Sequence, residues 1–220
     1  MPLFTSFDDA WRWFEAGGAL VPLDERREAF AKGRAQFVAF QAPAPSAAGV
    51  AAQALDALAG VAGLQPTPDD LLHVTLLPVG FQVIRRTHPD DVLPDDVARA
   101  GAQAARALEA TRPFDVRVGP VSVFPDALVL EVHDGGPLRG LRASLRSALG
   151  RPYEDDAAYL PHITIATFAD GSCADDLRRL LPALRDRTSR APVRRIDLAR
   201  WWFVEGEETE MQVIRTYRLR

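Results

Sequence analysis

At 220 residues, 47% of them hydrophobic, the chain has enough apolar material for one compact unit with room for two lobes. Its 30 acidic side chains outnumber its 26 basic ones, giving a formal charge of -4, which excludes a global electrostatic grip on nucleic acid and leaves only a local basic patch. The single cysteine, Cys173, cannot close an internal disulfide. The opening MPLFTSFDDAWRWFEAGG lacks the basic and apolar regions of a signal peptide, and no apolar run is long enough to span a membrane, so a cytoplasmic protein with no membrane partner is expected.

In chain order, Ser6 caps a first short helix whose opening turn is acidic and which Gly17 and Gly18 stop; DERREAFAKGR, from Asp24, gives a second. Residues 1–35 are thus expected to form a helical extension, ahead of a domain over 36–220. Gln36 to Ala42 reads as a strand ended by PAPS, Ser46 to Leu64 as an alanine-rich helix, and DLLHVTLLPV as a buried strand around His73, with FQVIRRT extending or pairing with it. Asp91 to Thr111 reads as a helix and Pro113 to Phe124 as a strand with a Gly-Pro interruption.

The order then begins again. Ala127 to His133 reads as a strand. Gly136 to Gly150 reads as a helix with Leu138, Leu141, Leu145 and Leu149 on one stripe. YLPHITIATF gives a strand around His162, and Asp175 to Asp186 a helix. VRRIDLARWWFVE and MQVIRTYRLR read as strands closing in a hairpin across GEET. The repeated plan predicts two pseudo-symmetric α+β lobes, roughly 36–125 and 126–220, each a mainly antiparallel sheet with helices outside, around a central cleft.

Residues two apart on a strand share a face. His73 and Thr75 therefore point one way and Val74 and Leu76 the other; His162 and Thr164 likewise oppose Ile163 and Ile165. Two of the chain's four histidines sit in this setting. If the lobes are equivalent, both pairs face the cleft. Two imidazoles, ordinarily of pKa about 6.5, can be one base and one acid near neutrality, predicting a bell-shaped pH profile. Two threonine hydroxyls can hold the charged oxygens of a phosphoryl group. That set suits in-line displacement at a phosphodiester without metal or other cofactor. A metal site would want a carboxylate on the histidine face, and neither strand has one. Of the 26 basic residues only Lys32 is lysine, and it lies outside any nucleotidyl-accepting or Walker motif, which argues against an ATP-dependent ligase.

The residues HVTL and HITI, in this duplicated context, resemble the two-histidine phosphoesterase superfamily, the 2'-5' RNA ligase-like and 2',3'-cyclic phosphodiesterase proteins. The likeness runs from about Gln36 to Arg220, taking in LLPVG after the first motif and YLPHITIA at the second. It departs at Thr167 and Pro78, where many members carry an arginine and an aromatic. The resemblance implies a two-lobed α+β fold, catalytic roles for His73 and His162, phosphate-binding roles for Thr75 and Thr164, and a nucleotide or RNA end with a cyclic phosphate as substrate. Non-catalytic binding of nucleotides or RNA ends, and ATP-independent 2'-5' ligation, are the alternative functions. Tyr159 could stack on a base, and Arg85 and Arg86, following the first motif, could reach a phosphate. The six arginines from Arg185 to Arg200 could track an RNA backbone.

Overall fold

A computed structural model describes residues 2–150, 158–203 and 210–220. Ahead of the main domain lie α1 (Phe7–Glu15) and α2 (Leu23–Ala31). Ser6 accepts the Asp9 N–H at 3.0 Å, the expected N-cap. The next elements are β1 (Gln36–Pro43), α3 (Ala48–Ala57), β2 (Leu64–Pro66), β3 (His73–Gln82), β4 (Asp91–Val92), α4 (Pro94–Leu108) and β5 (Phe114–Phe124). Then come β6 (Ala127–His133), α5 (Pro137–Leu149), β7 (His162–Phe168), α6 (Ala174–Leu180), β8 (Ser189–Val193), β9 (Arg195–Trp202) and β10 (Glu210–Arg218).

The ten described strands form one sheet with the path β10-β9-β1-β3-β7-β6-β5-β8, β2 joining β7 and β4 joining β3. Every pairing except β3–β4 is antiparallel. The class is the expected α+β, but the two ends of the sheet do not follow the 36–125 and 126–220 division. One end combines β1 and β3 with β9 and β10; the other combines β6, β7 and β8 with β5. Pro125 and Asp126 alone join β5 to β6, so these strands must pair as a hairpin. The C-terminal hairpin instead closes on the free edge of β1, with Phe37 opposite Trp201 and Gln41 opposite Asp197. The turn of that hairpin, expected across GEET, lies outside the described residues.

Three helix readings change at their ends. The helix predicted to Leu64 stops at Ala57, because Leu64 begins β2. The helix predicted from Asp91 starts at Pro94, since Asp91 and Val92 pair with Phe81 and Gln82. The last one stops at Leu180, and residues 181–184 tighten into a 3-10 turn at Pro182. The edge strand β8 was not expected.

One face of the sheet is packed by α4 and α5. Tyr217 Oη donates to the Gly101 carbonyl at 2.8 Å, and a Cβ at Gly101 would lie 3.3 Å from that oxygen, so the tyrosine packs closely on the helix there. Arg142 of α5 reaches the Leu76 carbonyl at 2.6 Å. Val74, Leu76, Ile163 and Ile165 point into this core, each at most 1% exposed. The opposite, concave face carries the two His-x-Thr pairs.

Candidate active site

β3 and β7 meet at one register pair, Val74 opposite Ile163. The middle residues of the two motifs are therefore cross-strand neighbours, and the chain's internal pseudo-symmetry runs between them. Antiparallel pairing then sets His73 beside Thr164 and Thr75 beside His162, all on the concave face. The two histidines lie on the diagonal of this pair, roughly 7–8 Å apart at the backbone. Burial alternates as the parity requires: His73, Thr75, His162 and Thr164 are half-buried, while the residues between them are buried.

Each imidazole is held in the same way. Nδ1 of His73 lies 2.7 Å from the Leu71 carbonyl, and Nδ1 of His162 lies 2.7 Å from the Leu160 carbonyl. A carbonyl only accepts, so both Nδ1 atoms carry the proton and both Nε2 atoms are the basic positions. His73 Nε2 is 3.2 Å from Thr75 Oγ1, which donates to it. An aromatic ring backs each histidine from two strands away. Trp201 of β9 lies 4.7 Å from His73, with its Nε1–H on Gln41 at 3.0 Å. Phe124 of β5 lies 4.8 Å from His162, edge-on at 76°.

Those surroundings govern protonation. Burial pushes His73 down to about 4; the hydrogen bond to Leu71 opposes the shift, and the neighbouring His162 charge adds to it. Burial also lowers His162, against the Leu160 hydrogen bond and the Asp126 carboxylate. The site thus offers two neutral Nε2 atoms and two hydroxyls on one face of the sheet. A bound anion would restore the imidazolium form that burial disfavours. Among the described residues, no three of His, Cys, Asp and Glu converge as metal ligands.

The other residues singled out in the sequence fall elsewhere. Tyr159 is at the seam where β3 leaves β7, its hydroxyl donating to the Thr75 carbonyl at 3.0 Å. Arg142, 3% exposed, lies 4.6 Å from the Tyr159 ring and binds the next carbonyl, Leu76. Tyr159 and Arg142 thus donate to successive carbonyls of β3, just past its one register pair with β7. Burial raises the Tyr159 phenol far above its ordinary pKa, so it remains a donor. Tyr159→Phe should cost about 1 kcal/mol of stability in denaturant unfolding, the usual worth of one such bond. Unchanged stability would show that the seam does not need it.

Arg85 and Arg86 follow the far end of β3, about 30 Å along the strand from His73. Arg86 is ion-paired to Asp96 of α4. Neither reaches the histidines, because the strand that links them in sequence separates them in space. Of the later arginines, Arg185 binds Glu131 and the Val121 carbonyl, Arg187 the Gln53 carbonyl, Arg195 Asp197, and Arg200 Gln82, so these four serve the fold. His133 is engaged by Glu131 at 3.0 Å. The aromatic backing by Phe124 and Trp201 was missed; its only trace in the sequence is that each ring lies near the end of an apolar strand.

A family model of the 2'-5' RNA ligase superfamily matches residues 44–204, well over half of the chain. No curated protein matches it by sequence. Among solved structures, TT0787 of Thermus thermophilus is similar with a TM-score of 0.59 at 20% identity, over 84% of this chain and 98% of that one. E. coli LigT complexed with 3'-AMP is similar with a TM-score of 0.56 at 18% identity, over 85% and 99%. ATU0111 from Agrobacterium tumefaciens, a conserved protein of unknown function, gives 0.55 at 16%, over 92% and 97%. At these identities the likeness is one of fold.

Proposed function

The chain belongs to the 2'-5' RNA ligase superfamily, and from that premise we propose that it opens 2',3'-cyclic phosphates or related RNA-type phosphodiesters by metal-independent acid–base catalysis. The observation that carries this reading is the cross-strand meeting of the two motifs at Val74 and Ile163, with both Nε2 atoms basic and on one face.

In the proposed reaction, one neutral Nε2 takes a proton from water as the water oxygen attacks phosphorus. The bond to the leaving ribose oxygen breaks, and the other histidine, as imidazolium, gives that oxygen a proton. A phosphomonoester results, the proton having passed from one imidazole's side to the other. Thr75 and Thr164 hydroxyls donate to the non-bridging oxygens. Of the proteins of this fold, E. coli LigT takes 3'-AMP, a phosphomonoester of the kind this reaction leaves. ATP-independent 2'-5' joining would use the same groups in the same roles, with a 5'-hydroxyl in place of water as the nucleophile that opens the cyclic phosphate.

The test is turnover of a 2',3'-cyclic nucleotide with and without EDTA. Opening that EDTA leaves unchanged is expected. Complete loss in EDTA, restored by a divalent ion, would mean that the histidines are ligands. Protection of the cyclic nucleotide without turnover would mean a binding protein.

A further inference from the structure

The segment before β1 has no place in the two-motif plan. It also lies ahead of the residues that the family model matches, 44–204. This segment does not trail away from the domain. It packs on the same face of the sheet as the histidines, with α1 reaching the ring that backs His162 and α2 lying at the end of β1 and β3 away from His73.

We propose that it is a strap that sets substrate size: it admits a phosphodiester carried on a single nucleoside and turns away a polynucleotide end. The proposal rests on the phosphoesterase reading of the histidine pair. At one side, the Phe7 ring of α1 lies parallel to Phe124 at 6.0 Å and 8°, and Phe124 is the ring against His162. Phe7 also touches His133 at 5.7 Å, and Trp11 lies 4.3 Å from the Arg185 guanidinium. Arg178 fixes the end of α1 through the Phe14 and Gly18 carbonyls.

The chain then crosses. Val21 donates to the Pro125 carbonyl at 2.7 Å, in the turn between β5 and β6. Arg26 of α2 pairs with Asp126 of the same turn at 2.5 Å. On the far side, Phe30 packs 4.9 Å from both Phe37 and Phe81. Phe37 is the register partner of Trp201, the ring over His73. Beyond α2, Arg34 anchors the segment to Asp90 and Asp91 at 2.6 and 2.8 Å.

A polynucleotide that extended from the histidine pair over β5 would meet α1, and one that extended along β1 and β3 would meet α2. Beside the histidines stand Phe124 and Trp201, with Phe7 stacked on Phe124, an aromatic setting suited to one base. Phe7 and Arg26 are thus specificity-determining positions, one as wall and one as tether.

The experiment compares kcat/KM for adenosine 2',3'-cyclic phosphate with that for a short RNA ending in a 2',3'-cyclic phosphate. The wild type should favour the mononucleotide by about a hundredfold or more. Phe7→Ala and Arg26→Ala should each narrow that ratio by about tenfold, through a lower KM for the RNA, and Arg26→Lys should keep it. Binding of adenosine 3'-phosphate and of the same RNA with a 3'-phosphate is measured alongside. If nothing is turned over but the binding preference holds, the phosphoesterase reading fails and the strap stands. Wild-type protein that handles both ligands equally, or binds neither, overturns the strap whatever the variants do; so do folded variants whose ratio is unchanged.

Discussion

His73→Ala and His162→Ala should each lower turnover of a 2',3'-cyclic nucleotide by about 10²- to 10⁴-fold, the usual worth of a positioned general acid or base. The geometry makes the two losses comparable, because the two rings are placed alike: Nδ1 on the carbonyl two residues back, Nε2 on the concave face, one aromatic behind. The double mutant should be far less than multiplicatively worse, since acid and base act on one proton inventory. Both side chains are only half-buried, so the variants should fold, which circular dichroism checks. Thr75→Ala and Thr164→Ala should cost less and act on phosphate binding. Near-normal turnover in either folded histidine variant would remove that residue from the mechanism.

The second large effect is on pH. Ordinary histidines would centre the bell near neutrality, but burial lowers both, His73 to about 4. The active free enzyme needs one imidazolium. Lowered pKa values make that form scarce at neutral pH, and scarcer still as pH rises. kcat/KM, which reports the free enzyme, should therefore be highest on the acid side. It should fall about tenfold per unit once pH exceeds both values of the coupled pair. Bound phosphodiester carries a negative charge that favours the imidazolium, so the limbs of kcat should lie at higher pH than those of kcat/KM. Profiles of both constants across about pH 5 to 9 decide it. Coincident limbs, or a kcat/KM that rises toward alkaline pH, would contradict the assigned protonation.

The strands of this site were legible because period-2 patterning is strong there: Val74, Leu76, Ile163 and Ile165 all face the core. The face shared by each histidine and its threonine followed from the same parity. The duplication pointed to a common cleft, but not to the Val74–Ile163 register or to the exchange of β5 and the C-terminal hairpin between the ends of the sheet. Those depend on turn length and free edges, which local patterning does not encode. β8 escaped because it is five residues long, contains Pro192, and lies at an edge. Arg85 and Arg86 were drawn toward the site by nearness in sequence, and the rise of β3 carries them away from it. α1 and α2 could be read from their caps and acidic turns, yet their destination on the concave face depends on contacts such as Phe7 with Phe124, more than a hundred residues apart.

The most direct test of the central claim is a crystal structure with a nucleoside 3'-phosphate bound. Both Nε2 atoms, of His73 and His162, should lie within about 3 Å of oxygens on one phosphoryl group, with the Thr75 and Thr164 hydroxyls on the remaining oxygens. A phosphate held elsewhere on the molecule, or touched by one histidine while the other turns away, would contradict a shared two-histidine site.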